Sequence, residues 1–214
     1  THNCLSADST PVVVEVYPSS APFIDPISID TVCENQDIKL YLDQDYSAVS
    51  VQWYHNDVAI AGETKDSLII TNAQLSDAGT YKAEVAMDHT HSVYTTLTIT
   101  CTGETTDEVV VNARPEAAIT DFNGIAMNVV DTIINEYFCP MAQDSVTVTI
   151  TGGTAPYTYT WTGVDSKVDE ASSSMGVILN GVCNVTYTAT MTAVDANGCV
   201  VKEDPSIQFT VNDT

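Results

Sequence analysis

The feature that most constrains this chain is a two-residue rhythm of apolar and hydroxyl-bearing side chains. Val146-Thr-Val-Thr-Ile150, Tyr157-Thr-Tyr-Thr-Trp161 and Val185-Thr-Tyr-Thr-Ala-Thr-Met191 alternate strictly. Successive side chains of an extended strand point to opposite faces, so each run offers one face to a core and one to water. Ile38-Lys-Leu-Tyr-Leu42, Val49-Ser-Val-Gln-Trp53, Tyr81-Lys-Ala-Glu-Val85 and Tyr94-Thr-Thr-Leu-Thr-Ile99 read the same way. Turn signals separate them: Asn56-Asp57, Ala61-Gly62, Asp77-Ala-Gly79, Gly152-Gly153, Asn180-Gly181 and Asn197-Gly198. One stretch, Ala126 to Ile134, has a helix-like pattern, although it is rich in Val and Ile. Strands at such short intervals predict an all-β protein built as a sandwich or barrel. At about 100 residues per sandwich, 214 residues make two domains.

Charge removes several function classes. Against 29 acidic residues stand 6 basic ones, a formal net charge of −23. Such a chain repels phosphate backbones and anionic headgroups, so nucleic acid and bare membrane are not expected partners. No apolar stretch approaches the roughly 20 residues of a spanning helix. No basic start followed by an apolar run is present, so the chain reads as a mature or excised piece of an exported protein. Six cysteines without a Cys-x-x-Cys pair read as disulfides made in an oxidising, extracellular compartment.

The chain also repeats itself. Cys4 is followed after seven residues by Val12-Val-Val14 and then Pro18; Cys101 is followed after seven by Val109-Val-Val111 and then Pro115. Cys199 precedes Ile207-Gln-Phe209 at the same interval. Sites one domain length apart indicate a recurring module junction. The expected division is an N-terminal strand or junction segment over 1–23, a first domain over 24–101 and a second over 102–214. On this reading Cys4 belongs to the tail of a preceding module.

Residues 24–101 resemble an immunoglobulin-like domain of the intermediate type. Leu40-x-Leu42 stands where that family has Leu-x-Cys, Trp53 follows at the spacing of its buried tryptophan, and Asp77-Ala-Gly-Thr-Tyr81 matches Asp-x-Gly-x-Tyr. Leu42 and Ala83 take the places of both inter-sheet cysteines, which implies that packing replaces that disulfide. The resemblance makes Trp53 the core plug and Tyr81 the tyrosine corner. Residues 139–212, through Thr151-Gly-Gly-Thr-Ala-Pro-Tyr-Thr-Tyr-Thr-Trp161 and Ala193-Val-Asp-Ala-Asn-Gly-Cys199, resemble the polycystic-kidney-disease-like repeats of Bacteroidetes surface proteins, including gliding-motility adhesins. Thr31-Val-Cys-Glu34 and Ile60-Ala-Gly-Glu-Thr64 are similar to immunoglobulin-like repeats of the same group. Together these imply two tandem immunoglobulin-like β-sandwich domains, with Trp161 as the second plug. Gly152-Gly153 suits a turn where a side chain clashes, Pro156 fixes the start of the next strand, and Asn197-Gly198 suits a tight hairpin.

Within an immunoglobulin-like sandwich Cys33 and Cys101 fall at the same end, which favours Cys33–Cys101. Similar reasoning gives Cys139–Cys183, whereas the repeat favours Cys139–Cys199; both stay open. No cofactor is expected; the cation that would fit best is calcium, through Asp43 and Asp45 in one loop and Asp195 and Asn197 in another, although no complete Asp-x-Asp-x-Asp-Gly loop occurs. His89-x-His91 reads as a polar hairpin tip, since two imidazoles do not complete a zinc site. Thr31, Ser67, Thr132 and Ser145 each follow Asp and precede an apolar residue, which resembles the Bacteroidetes O-glycosylation acceptor. Asn184 and Asn212 fit the N-glycosylation pattern. No Gly-x-Ser-x-Gly, His-Glu-x-x-His, phosphate loop or dinucleotide fingerprint occurs.

The expected function is therefore a non-catalytic structural or adhesive module of an extracellular bacterial surface fibre, its partners other modules or identical subunits. A filament subunit that exchanges the strand Ser9 to Pro18 is one alternative. A glycan-binding accessory module using Tyr54, Tyr94, Tyr157 or Tyr159 is another.

Overall fold

The computed structural model describes residues 28–43, 50–90, 98–122, 124–134, 143–169, 173–179 and 185–211. Val12–Val14, Cys4, Asp45, Tyr94, Cys139, Cys183, Asn184 and Asn212 lie outside them, as do the side chains of His89 and His91. The described residues contain strands and one short 3-10 turn, Leu75–Asp77, so the fold is all-β with the immunoglobulin-like sandwich pattern. The strands are β1 Thr31–Cys33, β2 Ile38–Tyr41, β3 Ser50–His55, β4 Val58–Ala59, β5 Ser67–Ile70, β6 Gly79–Thr90, β7 Thr98–Asn112 and β8 Glu116–Phe122. They continue as β9 Ile125–Val129, β10 Asp131–Ile134, β11 Gln143–Thr151, β12 Thr158–Thr162, β13 Asp165–Asp169, β14 Ser173–Leu179, β15 Val185–Val194 and β16 Ser206–Val211. The helix-like stretch Ala126–Ile134 is thus corrected to β9 and β10: its Val and Ile are stiff at χ1 and favour the pleated surface.

Two compact units emerge. The first holds residues up to 30, 39–69 and 79–108; the second holds 31–38, 70–78 and 109–214. In the first, the early part of β7, then β6, β3 and β4, lie side by side, and β2 pairs with β5. Alternation works as the sequence predicts. Leu40, Val51, Trp53, Leu68, Tyr81, Ala83 and Val85 are buried, while their strand neighbours are not. Leu42 and Ala83, the positions lacking the family's cysteines, are both buried. The β3–β4 turn needs two left-handed residues, which Asn56 (φ 49°) and Asp57 (φ 64°) supply.

The second unit is a double-layered sandwich. One sheet runs β10-β16-β15-β12, the other β13-β14-β11-β8-β9. Its core draws Ile119 and Phe122 from β8, Val146, Val148 and Ile150 from β11, Met191 from β15, and Ile207 and Phe209 from β16. Also in this unit, β1 pairs in parallel with the end of β7, placing Cys33 opposite Asn112. β10 pairs in parallel with β16 in the same manner, Thr132 opposite Ile207. The apolar triplets Val109–Val111 and Ile207–Phe209 thus each lie beside a parallel strand, with registers that differ by one residue: Thr31 is opposite Val110, the middle of its triplet, and Thr132 is opposite Ile207, the first of its own.

Candidate functional site

The two motif stretches of the second unit meet at one carboxylate. Asp195 is 5 % exposed. Its Oδ1 accepts the backbone N–H of Asn197 at 2.9 Å and of Cys199 at 2.8 Å, and its Oδ2 accepts that of Thr154 at 2.9 Å. The amide of Ala196 in turn donates to the Thr154 carbonyl at 2.8 Å. Gly153 has φ 61°, and a Cβ there would lie 2.9 Å from Pro115 Cβ and 3.0 Å from Asp195 Oδ2. The glycine pair is therefore what lets the 152–154 turn approach Asp195. Gly198, at φ 81°, closes the turn on the other side, its N–H donating to the Asp195 carbonyl. Asp195 and Asn197, the candidate calcium residues of this loop, are both engaged by the chain itself. The carboxylate oxygens are turned onto amides, and Asn197 Nδ2 donates to Asn112 Oδ1 and Thr154 Oγ1, each at 3.0 Å.

Cys199, fully buried beside that turn, is bonded to Cys33, with a Cα–Cα distance of 5.6 Å. The pairings Cys33–Cys101 and Cys139–Cys199 are thereby overturned, and Cys101 carries no disulfide. The reason is the length of β7. Cys101 lies near the start of this 15-residue strand, whereas the residue in register with Cys33 is Asn112. Ten residues of β7 lie between Cys101 and Asn112.

Polar groups surround the bond. Arg114 donates from Nε to the Val200 carbonyl at 2.9 Å and from Nη2 to the Val201 carbonyl at 2.6 Å. Lys202 donates its backbone N–H to the Pro115 carbonyl, and its ammonium lies 3.0 Å from Glu116 Oε1 and 3.6 Å from Glu34 Oε2. The hydrogen bond to Glu116, and then the charge of Glu34, hold the Lys202 ammonium above the ordinary lysine range. Glu34 Oε2 is buried and has no hydrogen-bond donor within range, so this cation at 3.6 Å is its electrostatic counterpart. Sequence reasoning missed Glu34, Asn112, Arg114 and Lys202. One signal was available: of only six basic residues, Arg114 immediately precedes Pro115 and Lys202 follows Cys199 by three positions.

Residues 21–101 match the family model described as immunoglobulin domain, and residues 145–166 match the SprB repeat. A search of curated proteins finds no match. Among solved structures, the N-terminal eight immunoglobulin domains of Down syndrome cell adhesion molecule align with 90% of this chain and 27% of that one, at 15% identity and a TM-score of 0.53. The three N-terminal domains of the bacteriophage RB49 highly immunogenic outer capsid protein align with 89% of this chain and 70% of that one, at 8% identity and a TM-score of 0.47. The chain thus spans about a quarter of the length of the first of these structures. At these identities the likeness concerns the fold.

The SprB match covers the end of β11, the Gly152-Gly153 turn and β12, one half of the arrangement that Asp195 completes. Trp161 on β12 packs against the core but stays half-exposed, its Nε1 donating to the buried Ser174 Oγ at 2.8 Å. It differs from Trp53, which is fully enclosed and donates to the Lys65 carbonyl at 2.9 Å. Tyr81 is buried, its ring stacked on His55.

Of the tyrosines expected as a glycan platform, Tyr54, Tyr157 and Tyr159 are engaged within the protein. Tyr54 donates its hydroxyl to Glu84 Oε2 at 2.8 Å, and the Lys82 ammonium covers its ring at 4.6 Å from the centroid. Glu84 also binds Lys82 at 2.9 Å. That hydrogen bond, then the one from Tyr54, holds the Glu84 carboxyl below its ordinary range. Tyr157 and Tyr159 pack half-buried against the core of the second unit. Asp43 is exposed at the end of β2, and no group of three His, Cys, Asp or Glu positioned for a metal occurs among the described residues. Thr31 is exposed on β1, and Ser67, Thr132 and Ser145 are half-buried on β5, β10 and β11.

Among the described residues, open grooves of about 500 Å3 beside Glu84 and about 570 Å3 beside Lys202 occur, and neither is lined by a histidine or a cysteine.

Proposed function

We propose that this chain is a non-catalytic structural and adhesive segment of an extracellular bacterial surface protein, of the kind that carries SprB repeats. One observation carries the reading. The polar residues of the motif region, Asp195, Asn197, Arg114 and Lys202, bind backbone groups and neighbouring side chains of the protein itself. That chemistry holds chain segments together, whereas catalysis needs a nucleophile, acid or base aimed at a substrate. The immunoglobulin-domain and SprB matches support an adhesion role, and the buried disulfide supports an oxidising location. The partners on this reading are other protein modules or further copies of the chain.

The test is retention under flow. Beads coated with the full chain are passed over glass, over agarose and over a lawn of the same chain, with albumin-coated beads as reference. The expected result is shear-resistant retention on at least one surface, at equal strength with the Asp195 region intact in every preparation. Turnover of a polysaccharide or peptide by the purified chain, abolished by a point substitution in either groove, would reverse the reading.

A further inference from the structure

The Cys33–Cys199 bond joins the end of β1 to the loop between β15 and β16, and its two residues are 166 apart in sequence. Strands β2 through β15 all lie inside the covalent loop it closes. Any pull along the polypeptide enters on the N-terminal side of Cys33 and leaves on the C-terminal side of Cys199, however long the parent chain is. We propose that this cystine is a mechanical bypass that carries tensile load past the enclosed strands β2 to β15, so that the backbone between Cys33 and Cys199 is not drawn out by force.

Three observations support the assignment. First, the bond lies in parallel with the polypeptide between the same two points. Tension reaching Cys33 passes through two sulfur atoms to Cys199, and the enclosed backbone stays slack. Hydrogen-bonded strands without such a shunt yield bond by bond under load, because each contributes only about 1 kcal/mol net.

Second, both attachment points are anchored locally. Cys33 is in register with Asn112 through the β1–β7 pairing, and its N–H donates to Gln36 Oε1 at 2.9 Å. The N–H of Cys199 is held by Asp195, and its carbonyl accepts the Asp195 N–H at 3.0 Å.

Third, the bond is sheltered. Cys33 is 8 % exposed and Cys199 0 %. A thiolate reductant must reach a sulfur to exchange with it, so the shunt persists until the Asp195 turn opens. The segments outside the loop, β16 among them, stay extensible and give first.

The physiological use of the bypass rests on the surface-adhesion reading; the bypass itself does not. The two fail separately: the bead assay reads adhesion, and the following experiment reads extension without any adhesive partner.

The full chain is held by handles at residues 1 and 214 and stretched by single-molecule force spectroscopy. A variant carrying Cys4→Ser, Cys101→Ser, Cys139→Ser and Cys183→Ser keeps only the bonded pair. It is stretched before and after reduction by a dithiol, which takes the cystine to two thiols as it closes to its own cyclic disulfide. The oxidised chain should stop about 550–600 Å short of the reduced chain, the reach of the enclosed residues at full extension. Adding Cys199→Ser should give the full length without reductant. Equal final lengths before and after reduction would overturn the proposal. If the variant does not fold, peptide mapping of the unreduced wild-type chain decides: a Cys33-to-Cys199 linked pair supports the bypass, and Cys33 bonded to any other cysteine overturns it.

Discussion

Removing the Asp195 carboxylate strands three backbone N–H groups at once, those of Thr154, Asn197 and Cys199. Hydrogen bonds to a charged acceptor contribute more than neutral ones, and a buried donor left unpaired adds its own desolvation cost. Asp195→Ala is therefore expected to destabilise the second unit by about 3 kcal/mol. Asp195→Asn should cost less, because its single carbonyl oxygen still serves Asn197 and Cys199. Urea denaturation followed by tryptophan fluorescence measures both; an alanine variant within about 0.5 kcal/mol of the parent would refute the assignment. The adjacent glycines make a sharper comparison. Gly152 and Gly153 both have left-handed backbones, at φ 71° and 61°, but a Cβ at Gly152 meets open space while one at Gly153 meets Pro115 and Asp195. Gly152→Ala should cost about 1 kcal/mol from backbone strain alone. Gly153→Ala should cost that and the displacement of the Asp195 turn, so the ratio of the two midpoint shifts checks the close approach independently of the strain they share.

At the scale of strands, the outward face of β3 and β6 carries a coupled trio. Glu84 is held below its ordinary value of 4.5 by its hydrogen bonds from Lys82 and Tyr54, and the Tyr54 phenol is raised above 10.0, chiefly by the hydrogen bond to Glu84. A lowered carboxyl contributes stability that is present above its unfolded value and lost as pH falls through the folded one. A raised phenol contributes stability present below its unfolded value and lost as pH rises through the folded one. Glu84→Gln should flatten the stability profile below about pH 4.5. It should also move Tyr54 ionisation toward lower pH, read as tyrosinate absorbance against a Tyr54→Phe blank. An unmoved tyrosinate titration would show that Glu84 does not govern Tyr54.

The strands themselves were legible because alternation is a local property: Trp53, Ala83 and Val85 alternate with polar neighbours and are buried. The recurring triplets Val109–Val111 and Ile207–Phe209 likewise lie on strands, each with a parallel neighbour. The disulfide was not legible. Its partner choice depends on how far β7 runs past Cys101, and pattern reading places strand ends poorly because Thr, Glu and Asp continue a solvated ribbon as readily as they end one. Nor could Glu34, Arg114 and Lys202 be read together. Their proximity follows from register, and residue type carries no trace of that. The motif pair around Gly153 and Asp195 was found as a resemblance; its reason, one carboxylate capping both turns, needed coordinates.

For the molecule as a whole the decisive number is the charge imbalance of 29 acids to 6 bases. Two opposing effects respond to salt. Screening weakens the ion pairs Lys82–Glu84 and Lys202–Glu116, which at exposed sites contribute about 0–1 kcal/mol each. It also weakens the mutual repulsion of the surplus carboxylates, which opposes the compact state. The pairs are few and short-ranged, whereas repulsion sums over every acid on the surface, and the screening length falls from about 30 Å at 0.01 M to about 10 Å at 0.1 M. Repulsion should win. The urea midpoint is expected to rise as sodium chloride increases across that range, and to rise less in a variant with the exposed acids Glu203 and Asp204 replaced by glutamine and asparagine. A midpoint that falls with salt would mean that attractive pairs dominate. The native state would then rest on specific charge contacts, and the acidity could no longer be read as the general charge of an exposed surface protein.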